Sequence, residues 1–302
     1  MIETRFSIPT PSHFSLWRTV YSHGWCALLP FHVDKEAQEL VRIIELSDGT
    51  LASSSLSNGA TGIAVRVRSQ VKLSTDQKSE ISGLLAMSLR VEEELSGFYA
   101  EARRHKQYRW IPETGSGRLL RAPTVFEDVV KMICTTNCSW ALTTVMIENL
   151  TKHLGRRFAD GAYSFPTPEA LAGTTEHFLR KNIRAGYRSP YLIELADGVV
   201  SGRIDLESWR TSPLTTVELF EKVKSIKGVG DYAAGNLLKL LGRYDYLGLD
   251  SWVRSRYYDL HTRGRKVSDR TIERRYESYG TWRGLFFWLE MTKHWFDHKF
   301  PF

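Results

Sequence analysis

The sequence predicts a mainly helical protein whose N-terminal part is an α+β unit built on a small antiparallel sheet. Three observations carry that expectation. Residues 63–71, Ile63-Ala-Val-Arg-Val-Arg-Ser-Gln-Val71, alternate apolar and polar side chains in the manner of a strand with one wet face. After Leu84 the apolar spacing changes to a helical period, and everything beyond Pro123 reads as helices. The composition, 302 residues of which 42% are hydrophobic and 25% charged, is that of a globular chain able to bury a large core, and the length suits two domains. The expected division is residues 1–115 for the sheet-containing unit and 116–302 for the helical one.

In chain order, the strands fall over Trp25 to Val33, Gln38 to Glu45 and Gly62 to Val71, separated by Gly, Ser and Asn breaks. Glu113 to Arg121 is a basic loop containing Gly and Ser that leads to Pro123, the expected boundary. The segment Thr124 to Asn137 opens the helical unit. Thr124 is placed to cap a helix with Glu127 at the capping-box position, Phe126, Val129, Val130, Ile133 and Cys134 form an apolar stripe, and Asn137 extends it by one turn. Further helices are expected over Ser139 to His153, Thr167 to Leu171, Thr175 to Lys181, Ser189 to Asp197, Thr216 to Ile226, Asp231 to Leu241, Ser251 to Leu260 and Gly280 to Phe296. No internal repeat or low-complexity tract interrupts this order.

Several classes drop out early. The first thirty residues carry Arg5, Arg18 and His23 without a continuous apolar region, which argues against a secretory signal, and no stretch has membrane-spanning length. Cys26, Cys134 and Cys138 form neither an even framework nor a C-x-x-C pair, so a disulfide scaffold, a zinc ribbon and a four-cysteine cluster are disfavoured, and a reducing cytoplasm is expected. Lys and Arg exceed Asp and Glu by 41 to 34, a formal charge of +7, compatible with a polyanionic partner without demanding one.

The most informative stretch runs from Val217 to Asp250. Val217, Phe220, Val223 and Ile226 line one helix, Ala234, Leu237, Leu238 and Leu241 line the next, and Lys227-Gly-Val-Gly230 joins them. Gly228 and Gly230 permit torsions and close approach that a Cβ would block, leaving backbone amides of the hairpin and of the following helix free to meet a phosphate oxygen, with Lys227 adding positive charge. An ordinary helix-helix turn is the plainer reading of Gly-Val-Gly. Such a hairpin holds backbone and carries no base code, so its affinity is salt-sensitive and non-specific. Twenty residues beyond Gly230, Asp250 stands in Gly248-Leu-Asp-Ser-Trp252 at the mouth of a helix, where an N-cap is its commonest use.

A hairpin followed at this spacing by Gly-x-Asp resembles the helix-hairpin-helix DNA glycosylases, in the branch of the oxoguanine and bacterial alkylpurine enzymes. Leu119-Leu-Arg-Ala-Pro-Thr-Val-Phe-Glu127 leading into Ile133-Cys-Thr-Thr-Asn137 is similar to the helix that opens their catalytic domain. Phe165-Pro-Thr-Pro168 and Arg184-Ala-Gly-Tyr-Arg188 are similar to their middle helices, and Ser22-His-Gly-Trp25 resembles more faintly their accessory sheet domain. The resemblance implies that Asp250 is the catalytic carboxylate, that Lys227, Gly228, Val229 and Gly230 hold the DNA backbone, and that Asn137 enters the gap left by an extruded nucleotide. A helix-closing Asn is the alternative for that last residue. Gly24, Trp25, Tyr232, Trp252 and Trp288 are the implied base pocket.

Departures from the family pattern matter as much. Leu249 stands where many members have Pro or Val. Members that also nick the strand carry a Lys two positions after the second hairpin Gly, where this chain has Tyr232; a phenol cannot form an imine, so a monofunctional enzyme using water is expected unless another Lys reaches in. Gly284 and Trp288 map onto the Gln and Phe of the oxoguanine enzyme, and Trp252 onto its His, which puts oxoguanine specificity in doubt. Trp25, Trp140, Trp252, Phe287 and Trp288 are candidate walls, and an aromatic pocket suits a cationic alkylated purine.

The implied partner is double-stranded DNA with a damaged base, bound by a monomer at the nucleoid. No metal and no cofactor are required, a monovalent cation at the hairpin being the one option. Two other readings stand beside this one: a non-catalytic protein that binds lesions or DNA structures, and a glycosylase for mispaired or deaminated pyrimidines.

Overall fold

A computed structural model describes residues 1–297, 300 and 301. Five strands, β1 (Ile2–Ile8), β2 (Phe31–Asp34), β3 (Glu39–Glu45), β4 (Leu51–Gly59) and β5 (Gly62–Ser69), form one antiparallel sheet in the order β1-β5-β4-β3-β2. β5 alternates buried and half-exposed positions along its whole length, as the period-two pattern requires. Two strands escape the sequence reading. β4 is rich in serine, a weak strand former, and Ser53, Ser54 and Ser55 are buried only because β3 and β5 pair on both sides of them. β1 pairs with β5 along its full length, Ile2 opposite Ser69 to Ile8 opposite Ile63.

The strand expected over Trp25 to Val33 is corrected. Gly24–Ala27 is a 3₁₀ turn, and only Phe31–Asp34 joins the sheet. Pro30 has no N–H to give a ladder, and the Trp25 indole turns inward to donate to Asp128 Oδ1 at 2.8 Å.

Ten longer helices follow: α1 (Thr75–Leu89), α2 (Ser96–Arg104), α3 (Val125–Thr135), α4 (Trp140–Leu154), α5 (Ser189–Val200), α6 (Thr216–Lys224), α7 (Asp231–Leu240), α8 (Ser251–His261), α9 (Asp269–Tyr276) and α10 (Arg283–Asp297). Short helical turns fill the connections. Glu176–Phe178 runs into a π-turn at Leu179–Ile183 in place of the plain helix expected over Thr175 to Lys181. α9 was not expected; Ser268 caps it, and Ile272 and Tyr276, one turn apart, are its buried residues. Gly280, with φ +53, interrupts the helix expected to begin there, and α10 starts at Arg283.

The segment read as a loop between domains runs through the interior. Gly115 to Leu120 are all buried, and Arg118 donates from Nε to the Arg90 carbonyl at 3.0 Å and from Nη2 to the Glu93 carbonyl at 2.9 Å. One hydrophobic core therefore continues from the sheet into the helices. Arg90 extends this link: its Nη1 donates to the carbonyls of Lys239 and Leu240 at 2.8 and 3.1 Å. A cation there satisfies the orphan carbonyls at the C-terminus of α7 and complements its dipole.

α3 joins sheet and helices by charge as well as by its stripe. Thr124 accepts from Glu127 N at 3.2 Å, as expected of a cap, but the Glu127 carboxylate does not complete the box. It accepts instead from Arg42 of β3 (3.0 Å to Nη1) and from Lys131 (2.7 Å), all three side chains being buried. α3 also stops short. Thr136 leaves the helix with ψ 132 and Asn137 takes φ +47, so Asn137 does not extend the stripe but stands exposed beyond it.

Candidate active site

The hairpin positions everything that follows. α6 carries a complete capping box, Thr215 with Glu218; of the face read from the sequence Val223, Ile226 and the partly buried Phe220 pack inward, joined by Leu219, whereas Val217 is 73% exposed. The chain then turns through Ile226 to Gly230. Gly228 has φ +87, and a Cβ there would lie 2.7 Å from the Tyr191 ring, so both torsion and space demand glycine. Gly230 differs. As N-cap of α7 it has an ordinary φ of −92, and a Cβ there would meet nothing within 4 Å. Its neighbours do not need the missing side chain, whereas an object approaching the helix start from outside would.

Charge at the hairpin is nearly balanced. Lys227 Nζ lies 2.9 Å from Glu194, and Lys224 lies 2.7 Å from Asp231 in the first turn of α7. Val229 is buried and packs into the hydrophobic core.

Two glycines carry the geometry from α7 to Asp250. A Cβ on Gly235 would lie 2.8 Å from Gly248 Cα, and one on Gly248, at φ +66, would lie 2.5 Å from Lys239 Nζ. The loop before α8 thus lies directly on α7. Asp250 caps α8, its Oδ1 accepting from Val253 N at 2.7 Å, so the common structural role is filled. The same carboxylate, half-buried, also lines a cavity of about 440 Å³, a size typical of small-molecule pockets.

Gly24, Trp25, Tyr232, Trp252 and Trp288 all line this cavity, together with Trp140. Two indoles are fixed by their N–H groups: Trp25 through Asp128, which also accepts from Ala122 N at 2.9 Å, and Trp288 through the Ser22 carbonyl at 3.0 Å. Burial pushes the Asp128 carboxyl up to about 6. Trp252 is 39% exposed and packs on Trp288 and Trp295, with ring centroids 6.2 and 5.3 Å away. Tyr232 is half-buried, and burial raises its phenol above the ordinary range.

Phe287 is corrected: it is fully buried against Tyr276 in the core behind α10. Gly284 does not line the cavity either. It packs on the loop after α7, where a Cβ would collide with the Tyr246 carbonyl. Asn137 stands outside the cavity beside Cys138, which lines it, and its Nδ2 donates to the Tyr187 hydroxyl at 3.3 Å.

Sequence reasoning missed His23, Asn236, Lys239 and His294, which also line the cavity. Lys239 had a visible signal, a lone cation among Leu237, Leu238, Leu240 and Leu241. Burial pushes the His23 imidazole down to about 4, against the pull of its bond to the Leu120 carbonyl, so it is neutral near pH 7.

No protein-family model matches the chain. A 3-methyladenine DNA-glycosylase from Archaeoglobus fulgidus superposes with a TM-score of 0.75 at 18% identity, covering 97% of this chain and 99% of that one. The apo form of an 8-oxoguanine glycosylase/lyase from Clostridium acetobutylicum superposes at 0.72 with 19% identity, over 96% and 98%. The fold is that of the helix-hairpin-helix DNA glycosylases.

A curated relative, the probable N-glycosylase/DNA lyase of Methanothermobacter thermautotrophicus, is 27% identical over 178 residues, 51% of this chain. That match spans about half, 55%, of the relative's length. Within this fold α7 relates the hairpin to Asp250: the hairpin opens the helix, and the loop that leads to Asp250 rests on its middle, Gly248 against Gly235. Among the described residues, no helix is long and apolar enough to cross a membrane.

Proposed function

We propose that the protein is a monofunctional DNA glycosylase that flips a damaged purine, alkylated or oxidised, out of duplex DNA and hydrolyses its N-glycosidic bond in base excision repair. The observation that carries this reading is the placement of Asp250 on an aromatic cavity whose floor helix, α7, begins at the glycine hairpin. Phosphate gripped at one end of that helix sets the register of the sugar presented near its middle. The 3-methyladenine and 8-oxoguanine specificities of the matching structures bracket the substrate class.

The chemistry follows from the charge that develops. As the base departs, the sugar acquires oxocarbenium character, and a fixed carboxylate facing it stabilises that charge more than the ground state. Asp250, held by Val253 N, keeps its orientation while doing so, and takes a proton from the attacking water. Flipping costs a few kcal/mol, least at a damaged pair. Asn137, exposed beyond α3 and next to the cavity rim, would occupy the vacated stack. No cofactor enters this chemistry. The enzyme would act as a monomer on chromosomal DNA in the cytoplasm.

Hydrolysis without strand cleavage is the expected outcome, because the position held by Lys in strand-nicking members is Tyr232. Sodium borohydride added to enzyme and damaged duplex should trap no covalent complex, and the strand should break only after alkali. A trapped adduct contradicts the monofunctional reading.

The hairpin gives a separate expectation. Gly230→Ala has room within the protein and no torsional penalty, so folding should be unchanged, whereas DNA affinity should fall roughly tenfold through lost close approach of a phosphate to the helix amides. Fluorescence anisotropy on undamaged duplex at fixed salt measures this. Unaltered affinity would remove the hairpin from the interface.

A further inference from the structure

Lys239 lies two turns beyond Tyr232 on α7 and is 2% exposed, yet it lines the cavity. Its ammonium has three protons to donate. Among the described residues the one acceptor it meets is Asn236 Oδ1, at 3.2 Å, and it has no carboxylate partner within ion-pair distance. Gly248 is bare where a Cβ would press on Nζ, and the Trp288 ring centroid lies 5.5 Å from it. A buried cation with so few partners is costly, and a fold that needed only packing here would be served by Leu or Met. The face of Trp288, one of the rings that would attract a cationic base, is already occupied by the protein's own cation.

Given the glycosylase reading, on which this rests, we propose that Lys239 is a specificity-determining donor of the pocket. It hydrogen-bonds an acceptor on the extruded base and stabilises negative charge on that base as it leaves, directing the site to electrically neutral purines that bear a carbonyl oxygen and away from cationic N-alkylated ones.

The two substrate classes differ in where the electrons go. When the C1′–N bond of a neutral purine breaks, the electron pair stays on the base, which becomes an anion; a facing ammonium is worth most at that moment. Water oxygen bonds to C1′, its proton passes to Asp250 and on to solvent, and the base takes up one proton. A cationic alkylpurine leaves as a neutral molecule. It gains nothing from Lys239 on departure and is repelled on entry.

Burial pulls the Lys239 amine down to about 8, with Asp250 opposing that shift. The other titratable groups that line the same cavity are Asp250 at the start of α8, neutral His23 before the 3₁₀ turn, Tyr232 on α7, Cys138 after α3 and His294 on α10. The donor is therefore cationic below about pH 8 and is lost as pH rises through that value.

The test compares wild type, Lys239→Met and Lys239→Gln in single-turnover release from duplexes carrying one oxoguanine or one N7-methylguanine. Wild type should favour oxoguanine, and its release should fall as pH climbs through the Lys239 titration. Either variant should slow oxoguanine release on the order of 100-fold, lose that alkaline limb, and leave N7-methylguanine release unchanged or faster. Glutamine keeps a donor for the protein should methionine fail to fold.

Equal losses on both substrates, or a wild-type preference for the cationic base, would overturn the proposal. So would a borohydride adduct that disappears in Lys239→Met, since Lys239 would then be a nucleophile. Wild-type release that neither variant alters sinks this inference and leaves the glycosylase reading standing; a wild type that releases no base sinks both.

Discussion

Asp250→Asn should leave the protein folded and bound to damaged duplex while base release falls by at least roughly 10²–10³-fold, the scale of losing one transition-state electrostatic contact. Asparagine suits this test because it is as good an N-cap as aspartate. Its side-chain oxygen can still accept from Val253 N, which Asp250 does at 2.7 Å, so α8 keeps its start and the aromatic wall built on Trp252 keeps its place. What disappears is the negative charge facing the sugar. Release measured under single turnover, beside anisotropy on the same duplex, separates the two effects. Loss of binding in parallel with release would mean that Asp250 is a structural cap, and retained release would mean that the carboxylate lies elsewhere.

The second large effect concerns stability. Glu127→Ala should destabilise the protein by about 3–5 kcal/mol, the cost of breaking a buried ion pair by removing one partner. The reason is specific to α3: Arg42 and Lys131 are 4% and 0% exposed, and both would be left as cations facing an empty site. Replacing all three residues together by apolar side chains of similar size should recover most of the loss. Equilibrium denaturant unfolding reads both results, and a loss below about 1 kcal/mol for the single variant would show that water reaches the triad.

The same triad has a pH signature. Burial alone would raise the Glu127 carboxyl, but Arg42 and Lys131 more than offset it and hold the group below its ordinary range. A carboxylate whose folded value is depressed contributes stability above its unfolded value and loses it as pH falls through the folded one. Wild type should therefore weaken in acid more steeply than the apolar triple variant.

What could be read from the sequence was what depends on neighbours in the chain. Gly228, Gly230 and Asp250 stand out because a positive φ, a bare helix start and an N-cap are local demands. β5 and the α3 stripe are equally local, one by period two and the other by helical spacing. The features that escaped are set by distant partners. β4 is a strand because β3 and β5 flank its serines, Trp25 leaves the sheet because Asp128 accepts its indole, and Glu127 abandons the capping box because Arg42 arrives from β3. Phe287 and Trp288 are adjacent in sequence, yet one faces the core and the other the cavity, a distinction that composition does not carry. The Gly235 and Gly248 contact, which seats the Asp250 loop on α7, pairs residues with no local signature in common. Lys239 was legible as an oddity, but its place in the pocket depends on that contact.

The most direct measurement of the central claim is base release by the wild-type protein from a panel of duplexes, each with one defined lesion, divided into samples with and without alkaline cleavage. Release of a damaged purine with the strand intact until alkali is added is the predicted result. Intact strands after alkali across every purine lesion, despite tight binding, would contradict it and leave a protein that grips damaged DNA without acting on it.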